Sequence, residues 1–188
     1  MCRRSVLAGA ILAAAVATIS ATYANAQEFR ATLSGFQELG ALNSETGAIF
    51  TKGQGTLQLK LDEKLQSLTY TLTYSNLTSA VLQAHIHFAK VHVPGGIFLF
   101  LCTNLGNGPA GTPACPNPSG TVTGTLTPAS VLAVPGQNIT AGDFSVVPAA
   151  LKSDTAYGNV HTGNFKAGEI RGQIRQPEDQ QGQNQNQQ

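Results

Sequence analysis

Four histidines are the residues of this sequence best suited to chemistry: His85, His87, His92 and His161. His85 and His87 are separated by one residue, and this spacing places both side chains on one face of a β-strand. His92 follows in the glycine- and proline-containing segment 91–96, and His161 lies on a later candidate strand. Neutral imidazoles that converge on one point are suitable ligands for copper or zinc. We therefore predict a candidate metal site at His85, His87 and His161, with His92 able to fold back over it.

The alternation of apolar residues predicts which way these side chains point. Ile86 is the apolar residue between His85 and His87, and Val160 is the apolar neighbour of His161. If the apolar residues face the core, all three histidines lie on the outer face of the sheet. An outward histidine is also an ordinary surface residue, so the spacing alone leaves both interpretations open.

The elements that must position these residues are β-strands. From residue 28 onward, apolar and polar residues alternate with a period of two, in short runs separated by glycine, asparagine, proline and serine. The predicted strands are 28–34, 55–62, 67–76, 81–89, 96–102, 121–127, 156–161 and 169–175. These strands predict an all-β fold, an antiparallel Greek-key sandwich or barrel of about eight strands. The stretch 128–154 is expected to be a long loop that carries short helical turns.

The two ends of the chain differ in composition from this body. Residues 1–26 have the pattern of a secretory signal peptide, with basic residues, a 14-residue apolar stretch and the small residues Ala24 and Ala26. The apolar stretch is shorter than the ~20 residues of a membrane span. We expect export to the periplasm or the medium and no membrane span in the mature chain. Residues 27–175 are then one domain, and the Gln/Asn-rich segment 176–188 is predicted to be a disordered tail.

Export determines how the cysteines are interpreted. Removal of the signal peptide leaves Cys102 and Cys115 in an oxidising compartment. The residues between them are turn-forming and small, and closing such a loop stabilises the fold by roughly 3 kcal/mol. The alternative is a redox-active or metal-binding cysteine pair, but the CxxC spacing typical of those sites is missing. We therefore predict a structural disulfide between Cys102 and Cys115.

Charge and motifs argue against several classes of function. Only 11% of residues are charged, the formal net charge is +1, and removal of the signal peptide changes it to −1. Such a balance gives no electrostatic basis for binding nucleic acid or an anionic membrane. There is no Gly-x-Ser-x-Gly, phosphate-binding or dinucleotide-binding motif, and the glutamates are scattered. No catalytic residue is predicted.

Four motifs follow one another along the chain. They are Phe29-Arg-Ala-Thr-Leu-Ser-Gly-Phe-Gln-Glu38, Ala84-His-Ile-His87, Tyr157-Gly-Asn-Val-His-Thr162 and Gly168-Glu-Ile-Arg-Gly-Gln173. Together they resemble the chordin-type (CHRD) domain, over residues 28–175. The resemblance implies an exported protein of bacterial type that binds a protein or an extracellular surface component. The chain departs from the family where members often carry Asn-Glu-Val-Pro-Pro, because here the residues are Gln37-Glu-Leu-Gly-Ala41.

The family pattern is also similar to the sandwich of Cu/Zn superoxide dismutase. That similarity implies copper binding on the outer face of the barrel by His85, His87 and the later strand residue His161. The histidine-rich zinc loop of the dismutase has no counterpart here beyond His92.

Arg171 resembles the arginine that guides anions in the dismutase. Ile170 and Ile174 of the same strand are expected to point inward. Arg171 is then expected to point outward and to pair with Glu169 on the surface.

Two functions follow from these predictions. The first, which we expect, is a non-catalytic exported module that binds a partner or has a structural role. The alternative is a copper- or zinc-binding protein with a dismutase-like site on its outer face, and any enzymatic activity would then be that of a superoxide dismutase. The residues do not identify the partner or the metal.

Overall fold

A computed structural model describes residues 26–39 and 47–177. The strands are β1 Gln27–Ser34, β2 Gln54–Asp62, β3 Ser67–Ser75, β4 Val81–Phe88, β5 Gly96–Thr103, β6 Gly120–Leu126, β7 Ala156–Thr162 and β8 Ile170–Gln173. The helix α1 spans Val146–Lys152, and 3-10 turns lie at Gly35–Gln37, Pro128–Ser130 and Pro135–Gln137. The predicted signal peptide up to residue 25 and the predicted tail from residue 178 lie outside the described residues.

The eight strands form one antiparallel sheet in the order β5-β4-β7-β8-β1-β2-β3-β6. Neighbours that are distant in sequence, such as β4 and β7 or β3 and β6, give the sheet a Greek-key connectivity. The sheet curls into a nearly closed barrel-like sandwich. The hydroxyl of Tyr70 on β3 donates a 2.5 Å hydrogen bond to the carbonyl of Leu101 on β5, which links the two halves through the interior. The predicted all-β fold is confirmed.

Period-two alternation builds the interior of the barrel. On β2, Leu57, Leu59 and Leu61 are each at most 1% exposed, and the residues between them are exposed. β1 and β3 alternate in the same way. A side chain every second residue therefore faces the core, as the sequence predicts.

The long connection between β6 and β7 carries the helical turns. Its 3-10 turn at Pro128–Ser130 has reciprocal capping between Thr127 and Ser130, and α1 buries Val147, Ala150 and Leu151. These apolar side chains extend the core at one end of the barrel. No helix among the described residues is long and apolar enough to cross a membrane.

Cys102 and Cys115 form a disulfide, with their Cα atoms 5.0 Å apart. Cys102 lies at the end of β5 and is completely buried, and Cys115 is 5% exposed. The bond ties the segment after β5 to the core. The predicted structural disulfide is confirmed.

Half of the sheet is buried on both faces. All seven residues of β7 and all four of β8 are buried, whereas β2 has one exposed face. The segments 89–96 and 163–168 lie over the outer face of β4, β7 and β8, and their carbonyls accept hydrogen bonds from side chains of these strands. This covered face contains the candidate site.

Candidate metal centre

The register of two strands brings three histidines together. His85 of β4 pairs with Asn159 of β7. His161 lies two residues further along β7, opposite Gln83, so its side chain is on the same face and diagonal to His85. His87 lies two residues along β4 on that face. The predicted convergence therefore follows from strand pairing.

The distances between the three rings are short. Nδ1 of His85 lies 3.1 Å from Nε2 of His161. The ring centroid of His87 is 5.6 Å from that of His85 and 6.2 Å from that of His161. One nitrogen of each residue lies within 4.8 Å of those of the other two. Ligands of one tetrahedral ion with bonds near 2.0–2.1 Å are ~3.3 Å apart, so binding requires ring shifts of about 1 Å.

The histidines lie on the outer face of the sheet but are buried there, so they are not ordinary surface residues. His85 is 0%, His87 7% and His161 6% exposed. Strand parity does place them on the face opposite Ile86, but a second layer of loops and side chains covers this face. Phe100 of β5 packs on His85, with the ring centroids 4.3 Å apart.

β4 is irregular beside its neighbour β5. Its register with β5 shifts between Ala84 and His85, and again between Ile86 and His87. Register shifts of this kind re-aim side chains and are frequent near functional sites. Both histidines on β4 directly follow such a shift.

Backbone carbonyls determine which ring nitrogens are available. Nδ1 of His161 lies 2.9 Å from the carbonyl of Lys166, and Nδ1 of His87 lies 2.9 Å from the carbonyl of Gly95. Because a carbonyl only accepts, both Nδ1 atoms carry a proton, and Nε2 of each neutral ring keeps its lone pair. His85 then donates from Nδ1 to His161, and Nε2 of His85 has no hydrogen-bond partner among the described residues. Two rings are therefore oriented as metal-binding histidines usually are.

Burial keeps the three imidazoles neutral. It lowers the pKa of His85 to about 2, with further contributions from His161 and His87. It lowers the pKa of His87 to about 4 against the opposing hydrogen bond to Gly95. The pKa of His161 is lowered for the same reason. Neutral imidazole is the form that binds a metal ion.

An aromatic and cationic stack supports His87. The ring of Tyr157 lies parallel to that of His87, at 4.7 Å and 4°. The guanidinium carbon of Arg171 lies 3.4 Å from the centroid of Tyr157. The backbone N–H of Gly95 donates to the hydroxyl of Tyr157 at 3.3 Å, and the Gly95 carbonyl accepts from His87. The stack and the loop together fix the plane of this imidazole.

A family model for the CHRD domain matches residues 29–174. The chain belongs to the CHRD domain family. No curated protein and no solved structure matches the chain. The three histidines, the stack and the covering segments all lie within the matched residues of this CHRD domain.

His92 is not part of the histidine cluster of the CHRD domain. It is exposed and adopts a left-handed backbone conformation, with φ 59°, in the turn of segment 89–96. The cluster that can hold a metal ion consists of His85, His87 and His161. The prediction that His92 folds back over the other three is therefore not met in the structure.

The expected positions of Arg171 and Glu169 are wrong. Arg171 is 3% exposed and donates from Nη2 to the carbonyl of Val93 at 3.0 Å. Glu169 is completely buried and accepts hydrogen bonds from Thr51, Thr78 and Thr162. Strand alternation does place the side chains of Arg171 and Ile170 on opposite faces of β8. The segment 89–96 covers the face of Arg171, so this side chain is buried as well.

Sequence reasoning missed three residues of the site: Glu38, Tyr157 and Asn159. Tyr157 and Asn159 alternate with the core residue Val160 on β7, so parity alone places them beside the histidines. Glu38 lies far away in sequence and follows the 3-10 turn after β1. No spacing rule connects it to the histidines.

Proposed function

We propose that this CHRD domain binds one copper or zinc ion through His85, His87 and His161. The convergence of three neutral imidazoles with nitrogens within 4.8 Å of one another carries the proposal. Two of the rings have their tautomers set by backbone carbonyls. The unpartnered buried Nε2 of His85 is a further sign, since a buried polar atom without a hydrogen bond is costly in a packed interior.

The chemistry of the donor set favours copper or zinc over harder cations. Imidazole nitrogen suits zinc and copper, whereas magnesium and calcium are bound through oxygen. The three residues of the cluster supply only nitrogen ligands. A bound ion would act as a Lewis acid at this position.

The arrangement supports retention of an ion better than turnover of a substrate. His85 is completely buried, and segment 89–96 lies over His87. Catalysis at a metal ion requires an open coordination position. A dismutase-like reaction would in addition need a route for the anion, so our proposal is a non-catalytic, metal-binding role.

The proposal is tested by equilibrium binding of zinc and copper(I) in competition with a chromophoric chelator. We expect one ion per chain for the wild type and for His92→Ala, whose side chain is exposed and outside the cluster. We expect His161→Ala to weaken binding at least tenfold. Binding that is unchanged in His161→Ala, or equally weakened in His92→Ala, would contradict the assignment.

We further propose that the protein acts outside the cytoplasm. A buried disulfide is typical of proteins from oxidising compartments, and it is consistent with the signal peptide predicted for residues 1–26. Fractionation of cells that express the full chain tests this. We expect to find the protein in the periplasm or the medium, shortened by removal of the signal peptide. Full-length protein in the cytoplasm would contradict export.

Binding of a protein or a surface component remains the second candidate function. The exposed aromatic pair Phe36 and Phe50 favours it, because these side chains are 67% and 94% exposed and their rings meet edge to face at 6.3 Å. Exposed aromatic side chains are frequent at protein interfaces. Loss of binding to cell-surface material in Phe36→Ser/Phe50→Ser, with metal binding retained, would support this function. Unchanged binding of that variant would argue against this surface.

A further inference from the structure

Glu38 is a buried carboxyl group near the histidines, and it has no ion-pair partner among the residues that the structure describes. It is 4% exposed, and its Oε1 atom has no hydrogen-bond partner among the described residues. It forms none of the three ion pairs found in the described part of the chain. A buried carboxylate is costly unless it is paired, so its retention needs an explanation.

Two groups hold Glu38 at this position. Its carboxyl group packs on the backbone of Gly168, where a Cβ atom would lie 2.5 Å from Oε1. The side chain of Asn159 and the backbone of Leu39 lie beside it and act to lower its pKa. Oδ1 of Asn159 in turn lies 3.1 Å from Nε2 of His87. One amide therefore separates Glu38 from a nitrogen of the candidate metal centre.

The charges around this centre explain why a carboxylate is needed. Three neutral imidazoles leave the charge of a bound dication unbalanced, and the buried guanidinium of Arg171 adds another positive charge nearby. Buried charges of one sign destabilise a fold unless a counter-charge is present. Of the groups facing Glu38, Arg171 is cationic and Tyr157 is a neutral phenol.

We propose that Glu38 balances the charge of a dication bound at the three histidines and releases its proton to solvent as the ion binds. This inference rests on the proposed metal-binding function. The step is an ionisation: the carboxyl O–H bond breaks, the electron pair stays on the carboxylate, and the proton goes to buffer. Burial raises the pKa of Glu38 to about 7 despite the opposing effect of Arg171, so a proton is available below neutral pH.

Asn159 provides the coupling between the two sites. With its Oδ1 facing His87, its amide N–H groups are directed to Glu38, and this orientation suits a charged carboxylate and a cation beside Oδ1 and Nε2. The flipped amide donates to Nε2 of His87 and accepts from a protonated Glu38, which suits the metal-free state. In the metal-free state only the flipped amide pairs these groups, because Oδ1 facing the lone pair of Nε2 brings two acceptors together and is favourable only with a cation beside them.

The experiment is isothermal titration of zinc into the disulfide-intact protein at pH 6.0, in several buffers of different ionisation enthalpy. The slope of the observed binding heat, plotted against the ionisation enthalpy of the buffer, gives the number of protons released per zinc ion bound. With a pKa near 7, Glu38 is about 90% protonated at pH 6.0, so the wild type should release about 0.9 proton more than Glu38→Gln. The matched control Glu28→Gln removes an exposed carboxylate that pairs with Lys60 and should behave as the wild type does.

The outcomes separate the two proposals. Stoichiometric zinc binding with equal proton release in wild type and Glu38→Gln overturns the role of Glu38 and leaves the metal site standing. Failure of the wild type to bind zinc overturns both. If Glu38→Gln does not fold, the wild type alone tests the role of Glu38. The number of protons that it releases on binding zinc should decline between pH 6 and pH 8.5. A constant number would contradict the inference.

Discussion

Nδ1 of His85 lies 3.1 Å from Nε2 of His161, and the two residues are 76 positions apart in sequence. The carbonyl of Lys166 holds the proton of His161 on Nδ1, so the lone pair of its Nε2 faces His85. A hydrogen bond between two buried neutral imidazoles leaves the second nitrogen of His85 without a partner in the described part of the chain. The cluster that contains these nitrogens is a suitable donor set for a metal ion.

Replacement of His85 by leucine should remove metal-dependent stabilisation at a modest cost to the stability of the metal-free fold. Leucine removes a nitrogen that has no partner among the described residues, but it also leaves Nε2 of the buried His161 without its donor, so we expect the free energy of unfolding to fall by about 1–3 kcal/mol. At a zinc concentration one hundred times Kd, the wild type should gain about 2.7 kcal/mol. Thermal melts with and without zinc measure both effects.

His92→Leu is the control for this prediction, because it removes an exposed histidine. It should keep the zinc-dependent rise in Tm. If His85→Leu also kept that rise, His85 would not be a ligand.

The metal-free protein should lose stability as the pH falls below 6.5. The folded-state pKa values of His85 and His87 are about 2 and about 4, below their ordinary value of 6.5, and that of His161 is also lowered. The unfolded chain therefore takes up protons that the folded chain does not, and stability rises with pH in this window. Each such histidine contributes up to about 1.4 kcal/mol per pH unit.

Glu38 opposes this trend. Its folded-state pKa is raised from 4.5 to about 7, so between these values the folded chain binds the extra proton and stability falls as pH rises. Three histidines outweigh one carboxyl group, and the net slope between pH 5 and 6.5 should remain positive. Urea unfolding across this range measures it, with a steeper slope in Glu38→Gln. A flat profile would show that the imidazoles are not held neutral.

Glu169 should be a strong determinant of stability. Its carboxylate accepts from the hydroxyl of Thr51, the N–H and hydroxyl of Thr78, and the hydroxyl of Thr162, at 2.8–2.9 Å. Glu169→Ala leaves these donors unpaired in the interior and should cost about 3–5 kcal/mol. Denaturant unfolding provides the measurement.

Glu63→Ala is the matched comparison for Glu169→Ala, since Glu63 forms a half-exposed ion pair with Lys152. Removal of an exposed pair costs at most about 1 kcal/mol. Equal losses in the two variants would contradict the structural role of Glu169.

Opening the disulfide should destabilise the domain by about 3 kcal/mol, as chain entropy predicts for a loop of this length. Cys102 is completely buried within the core, so Cys102→Ala/Cys115→Ala tests the bond with little loss of volume. The urea midpoints of the variant and of the oxidised wild type should differ, whereas a reducing agent should have no effect on the variant. Equal midpoints would show that the loop is held by its other contacts.

The strands were predictable because alternation is a local property. The predicted strand 67–76 and the observed β3 Ser67–Ser75 agree to one residue, since Leu68, Tyr70 and Leu72 are separated by polar residues. The convergence of the histidines was predictable in part. Because side chains alternate along a strand, His85 and His87 lie on the same face of β4 whichever strands pair with it.

Burial of the site was not predictable from the same pattern. The segments 89–96 and 163–168 cover the histidines through backbone carbonyls, such as that of Lys166, which any sequence provides. The continuous apolar run of β5 partly indicated this burial. A strand that is buried on both faces must have a layer of residues over its outer face, and that layer extends over the neighbouring strand β4. Glu38 reaches the site only through the tertiary fold.

The most direct test of a metal centre is the metal content of the natively produced protein, measured by mass spectrometry. The comparison is the double variant His85→Ala/His87→Ala produced in the same way, with His92→Ala as control. We expect close to one copper or zinc ion per chain in the wild type and in His92→Ala, and almost none in the double variant. Wild-type protein that contains neither metal and takes up neither on addition would contradict this expectation.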